Sequence, residues 1–177
     1  MAFAAAYQYT DINDIIESTV GKQGDSLLVL LDRILDPHNL GSILRTADAS
    51  GVDGVIIPNR NAVGLTATVA KTSAGAIEYV PVAKVPNIPR IIDMLKKKGY
   101  WIIGADMEGK KSYYDEEMTG KIALVIGGEG SGIGRLIKEK CDFLVHIPMK
   151  GKVDSLNASV AASILMYEAV RQRNQTG

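Results

Sequence analysis

Short uncharged apolar runs at 27–31, 55–57, 79–82, 100–105, 122–126 and 143–147 alternate with stretches whose apolar residues recur every three or four positions. The runs have the length and composition of buried strands, and Leu-Leu-Val-Leu-Leu at 27–31 reads as a central parallel strand. Pro81 places the 79–82 run at a sheet edge, because proline cannot donate to a ladder. The periodic stretches predict helices. One spans about 39–50, with Leu40, Ile43, Leu44 and Ala47 as its apolar stripe and Gly51 as its stop. A short one at 65–72 breaks at Ser73-Ala74-Gly75. Asn87 caps a third that runs to Lys97, with Ile88, Ile91, Ile92 and Leu95 facing inward. A fourth ends near Lys140, and a last one covers 157–172. Residues 1–26 form a lead-in with a short amphipathic helix capped by Thr10 or Asp11, and 106–120 and 148–156 read as loops. The alternation predicts an α/β fold, a mostly parallel sheet with helices on both faces. The final helix carries no charge over 158–167, so it is buried on several sides, and a subunit interface is its expected cover.

Composition narrows the function classes. A chain of 177 residues with 46% hydrophobic content suits one domain with a sizeable core. Lys plus Arg equals Asp plus Glu at 20 each, which removes any global electrostatic case for nucleic acid. RNA contacts would come from local patches and be weak and salt-sensitive. Cys141 is the only cysteine, so a disulfide framework and a cysteine metal site are excluded within one chain, and a reducing, cytoplasmic setting fits. His38 and His146 lack nearby ligand partners, so no metal is expected. No apolar stretch reaches a membrane span. The first six residues are apolar but lack a basic start, so no signal peptide is read there.

Three polar islands follow strands: Asn39 to Arg45; Gly127-Gly128-Glu129-Gly130-Ser131-Gly132-Ile133-Gly134; and 147–151 with Ser155-Leu156-Asn157-Ala158-Ser159. Strand C-terminal ends are where open α/β sheets bind ligands, so the islands are expected to converge. The Gly-rich loop lets backbone approach a ligand closely. It has neither the Lys-Ser or Lys-Thr of a phosphate-cradling loop nor the dinucleotide glycine spacing, and Glu129 would repel a pyrophosphate. Each residue also has a plainer reading. The glycine loop could be an ordinary strand-to-helix turn, and Asn39, Ser155 and Asn157 could simply cap helices. Arg45 could be solvated, and Glu129 could complement a helix dipole.

Taken together, the islands resemble the three motifs of the SpoU/TrmH group of the SPOUT methyltransferases. The first motif is Asp36-Pro37-His38-Asn39-Leu40-Gly41-Ser42-Ile43-Leu44-Arg45, the second Val125 to Gly132, and the third Ile147-Pro148-Met149 with Ser155 to Ala161. Lys71-Thr72-Ser73-Ala74-Gly75-Ala76 fits as well, and the resemblance covers 27–173. Within the group the chain is most similar to RlmB-type enzymes, which 2′-O-methylate a guanosine of large-subunit (23S) ribosomal RNA. The resemblance implies an α/β domain whose C-terminal part threads a deep trefoil knot, a feature periodicity cannot show. It implies S-adenosylmethionine as cofactor, with Gly127, Gly128, Ile147, Met149 and Leu156 holding it. It assigns catalysis to Arg45, Asn39, Glu129, Ser155 and Asn157, needs no metal, and implies RNA as partner and a homodimer. It makes 1–26 the lead-in from an N-terminal RNA-binding domain and 27–177 the catalytic domain. Lys150, Lys152, Arg171 and Arg173 are offered to RNA phosphates, with solvated surface charge as their plainer reading. Two other functions stay open: a tRNA guanosine 2′-O-methyltransferase and a non-catalytic RNA-binding paralogue.

Overall fold

The computed structural model of the protein describes residues 7–22 and 24–176; the first six residues, read above as no signal peptide, lie outside the described residues. The strands are β1 (Ser26–Asp32), β2 (Gly54–Pro58), β3 (Val82–Val85), β4 (Trp101–Ala105), β5 (Lys111–Ser112), β6 (Lys121–Gly127) and β7 (Phe143–His146). The helices are α1 (Ile12–Val20), α2 (Pro37–Ser50), α3 (Ala67–Thr72), α4 (Ile88–Lys97), α5 (Arg135–Lys140) and α6 (Ala158–Thr176). The strands form one sheet in the order β3-β2-β1-β6-β4-β7-β5, and every pairing is parallel.

Alternation along β1 explains the layers. Leu27, Val29 and Leu31 face a cluster built with α2, α3 and α6, while Leu28 and Leu30 face one built with α1, α4 and α5. All of β1 is buried, as a strand covered on both faces requires. Ile15 and Ile16 anchor α1 in the second cluster, and the chain before it is tied down by Thr10 N–H to the Val82 carbonyl at 2.8 Å.

Several boundaries differ from the sequence reading. Helix α2 starts at Pro37 because Asp36, not Asn39, caps it: the Asp36 carboxylate accepts the His38 N–H at 2.8 Å, and Pro37 fills a first-turn position that needs no donor. Asn39 is thereby released from capping. Asp11, rather than Thr10, caps α1. Strand β3 begins at Val82, since Ala76–Glu78 form a 3-10 turn that carries the chain past an exposed Tyr79, and it does lie at an edge. The 106–120 loop contains β5, too short to leave a period, which pairs with β7 at the other edge.

Asn157 does cap α6, accepting the Ser159 N–H at 2.9 Å. Ala158, Ala162, Leu165, Met166 and Ala169 bury one side of α6, whereas Val160 and Tyr167 each remain 47% exposed. Arg173 does not offer itself to RNA. Its guanidinium donates to the carbonyls of Ser26, Met118 and Gly120 at 3.0–3.1 Å, tying α6 to the starts of β1 and β6. Arg171 pairs with buried Glu168 at 2.6 Å, and that hydrogen bond holds the Glu168 carboxyl below its ordinary value against the opposing effect of burial.

Strands β1 and β6 are neighbours, yet β1 hands the chain to β2 on one side and β6 hands it past β4 to β7 on the other. The crevice beyond Asp32 and Gly127 is therefore the switch point of the sheet, the place such sheets bind ligands.

Candidate active site

The glycine loop folds back on itself directly after β6. Gly132 N–H donates to the Gly128 carbonyl at 2.8 Å, an isolated antiparallel bridge. A Cβ on Gly127 would stand 2.2 Å from the Gly132 carbonyl carbon, and one on Gly128 would stand 2.3 Å from the Arg33 carbonyl oxygen. Gly130 and Gly132 turn the chain with φ of 76° and 62°. The end of β1 holds this hairpin in place. The Asp32 carbonyl accepts Gly128 N–H at 2.9 Å, and the Asp32 carboxylate accepts Gly134 N–H at 2.6 Å.

The hairpin presents Glu129, where the three islands meet. One carboxylate oxygen, Oε1, accepts Asn157 Nδ2 at 2.7 Å, the Ala158 N–H at 3.3 Å and Asn39 Nδ2 at 3.4 Å. Residues 39, 129 and 157 are thus brought to one point from α2, the loop after β6 and the start of α6. Ser155 is exposed at the rim. Arg45 stands exposed on α2 beyond Asn39 and makes no hydrogen bond or ion pair among the described residues.

Beside Glu129 opens a cavity of about 390 Å³, and Gly127, Gly128, Ile147, Met149 and Leu156 all line it. Its far wall was missed in the sequence. Asp106 and Glu108, just past β4, line it together with Lys138, which pairs with them at 3.1 and 3.2 Å. The Asp106 hydrogen bond, then that of Glu108, raises the Lys138 ammonium above its ordinary value, so it stays charged. A polar pair following a strand run was the available signal, hidden inside what read as a surface loop. A second cavity of about 420 Å³ lies on the other side of the hairpin. Arg33, Asp36, Asn39 and Asn61 line it, and it shares Gly128, Glu129 and Ser131 with the first.

The arrangement suits one kind of chemistry better than others. The first cavity offers backbone groups, apolar side chains and four acidic residues, Asp106, Glu108, Glu129 and Asp154, against Lys138, a lining that stays acidic on balance and fits an uncharged or cationic ligand. Cys141 is no nucleophile, because burial pushes its thiol up to about 12. Among the described residues no group of three or more His, Cys, Asp or Glu could hold a metal ion, and no helix is long and apolar enough to cross a membrane.

Residues 26–167 match the model of the SpoU rRNA Methylase family. A Staphylococcus haemolyticus protein named for the TrmH family of tRNA/rRNA methyltransferases is 56% identical over 176 residues, covering 99% of this chain and 71% of that protein. YacO of Bacillus subtilis, named likewise, is 51% identical over 177 residues, covering 100% of this chain and 71% of its own. The solved SpoU methyltransferase AviRb from Streptomyces viridochromogenes, in complex with AdoMet, superposes with a TM-score of 0.85 at 33% identity. That match covers 95% of this chain and 66% of AviRb. The TrmH/SpoU tRNA modifying enzyme of A. aeolicus superposes with a TM-score of 0.79 at 30% identity, over 93% of this chain and 83% of that one.

Proposed function

The chain belongs to the SpoU rRNA methylase family, and from that premise we propose that it transfers a methyl group from S-adenosylmethionine to a ribose 2′-hydroxyl of RNA. A guanosine of large-subunit ribosomal RNA is the acceptor in this reading. One observation carries it: Asn39, Glu129 and Asn157 converge at the rim of the cavity lined by the five residues assigned to the cofactor. The cofactor fits that cavity by its chemistry. Asp106, Glu108, Glu129 and Asp154 line it with Lys138, leaving an acidic balance for a ligand that carries a sulfonium and an ammonium, and Gly127 and Gly128 form part of the wall. When bound, S-adenosylmethionine supplies a methyl already activated by the positive sulfur.

The chain's own residues then handle the acceptor. A ribose hydroxyl is a weak nucleophile whose oxygen gains negative charge as its proton leaves. Arg45 is read as a cation rather than a base, since a guanidinium is a donor with no acceptor to offer. Its exposed guanidinium, unpaired among the described residues, instead binds the neighbouring phosphate and stabilises the developing alkoxide. Asn39 and Asn157, held on Glu129, orient the ribose, and Ser155 donates to substrate at the rim. The second cavity, on the Asn39 side of Glu129, gives the acceptor nucleoside room.

Three further parts complete the reading. The chain from Gly127 onward, whose two loops both line the cofactor cavity, forms the trefoil knot. The 27–177 region is the transferase, and 1–26 leads into it from an RNA-binding part. Two copies pair through the α6 face that leaves Val160 and Tyr167 exposed, in the cytoplasm. Sedimentation at a dimer mass is expected, and a monomer at micromolar concentration would remove pairing from the proposal.

The function is tested by methyl transfer from labelled S-adenosylmethionine to unmodified large-subunit rRNA and unmodified tRNA, with the labelled nucleotide mapped. Label on a guanosine 2′-oxygen of the rRNA is expected. Label on tRNA would move the target. Cofactor binding without label on either RNA would mean that the RNA-binding part is needed to select the substrate, and unchanged activity in Arg45→Ala would favour the non-catalytic RNA-binding paralogue.

A further inference from the structure

We propose that Asp32, a residue outside all three motifs, is a positioning residue that sets the shape of the cofactor loop. Three observations converge on it. Its carbonyl and its carboxylate grip the two ends of the hairpin, at Gly128 and Gly134. Its neighbour Arg33 holds φ at 60°, a left-handed conformation that costs a non-glycine residue energy and is kept where surroundings demand it. That twist presses the Arg33 carbonyl against Gly128 and returns the Arg33 guanidinium to the Gly132 carbonyl at 3.2 Å and to the Asp32 carboxylate at 3.5 Å.

Asp32 and Arg33 therefore bracket the hairpin at Gly128, Gly132 and Gly134; Gly128 lines both cavities and Gly132 the first. Asp32 is itself buried, with 7% of its surface exposed, and does not line the cofactor cavity. It acts through the loop rather than on the ligand. A glycine hairpin is otherwise among the loosest of backbones, and fixing it in its bound shape before the ligand arrives raises affinity by removing an ordering cost.

This inference rests on the cofactor reading, and calorimetry with S-adenosylmethionine separates the two. Wild type that binds none would overturn both. With wild-type binding established, Asp32→Ala is expected to weaken the cofactor and raise its KM by about tenfold, the size of one lost charge-assisted hydrogen bond. The kcat at saturating cofactor and the KM for RNA stay near wild type. Asp32→Asn, which keeps an acceptor for Gly134, recovers most of the loss. Ile137→Val, a mild core change in α5, lowers the melting temperature without moving the cofactor KM. If Asp32→Ala does not fold, Asp32→Glu replaces it: the charge survives, one added methylene displaces the loop, and the cofactor KM rises. An unchanged cofactor KM in Asp32→Ala or Asp32→Glu overturns the proposal. So does a rise in KM for Ile137→Val equal to that of the Asp32 variant.

Discussion

Glu129→Ala is expected to lower kcat by about 100-fold, the scale of a misplaced catalytic group, with the protein still folded. The side chain sits on an exposed hairpin and fills no core position, so its removal costs little stability. What it removes is the one acceptor shared by Asn39, Asn157 and the first N–H of α6. In the proposed reaction both amides then lose the orientation they need toward the ribose. Single-turnover rates at saturating RNA and cofactor measure this directly. The shared acceptor also fixes how variants combine. Asn157→Ala alone is expected to cost less than Glu129→Ala, since the Ala158 N–H and Asn39 still hold the carboxylate. The double variant is expected to be no slower than Glu129→Ala, because groups acting through one network are not additive. Rates that multiply across the pair would mean that Glu129 and Asn157 act separately and that the convergence is incidental.

That convergence also marks how far the sequence could be read. Apolar runs such as 27–31 and 122–126 locate the sheet because a strand buried on both faces has no room for polar residues. Loops at strand C-terminal ends locate the crevice. Asn39 looked like a plain helix cap until Asp36 proved to hold that position, which leaves Asn39 for Glu129. Asp32 was invisible for a different reason. A lone acid at the end of a strand has no local signature, and its partner Gly134 lies 102 residues away. Arg173 misled in the opposite sense: a charge near the chain's end suggested solvent or RNA, but three carbonyls hold it against the domain. In each case the missing information is a long-range hydrogen bond. Periodicity reports which face a residue takes, and says nothing about which distant polar atom meets it there.

The second large effect follows from a contact that no sequence motif explains by chemistry alone. Gly127→Ala is expected to reduce cofactor affinity by more than about 100-fold and stability by about 3 kcal/mol, the upper range for overpacking a closed site. The added methyl would lie 2.2 Å from the Gly132 carbonyl carbon, 2.3 Å from its oxygen and 2.4 Å from the Ile133 nitrogen. All three are backbone atoms, so no rotamer change relieves the clash. Gly127 belongs to β6, whose ladder with β1 pairs it with Asp32, so it cannot retreat. The hairpin must open instead, and opening it breaks the Gly128–Gly132 bridge and moves Glu129 away from Asn157. Gly151→Ala is the matched control: it lies in the loop before α6, where a Cβ meets nothing within 4 Å, and is expected to change neither quantity. Urea denaturation and calorimetry with S-adenosylmethionine read the two effects separately. A Gly127→Ala protein that unfolds early yet binds cofactor normally would place the binding surface elsewhere on the domain. One that keeps its stability while losing the cofactor would mean that the hairpin opens freely, with its closed shape selected by the ligand.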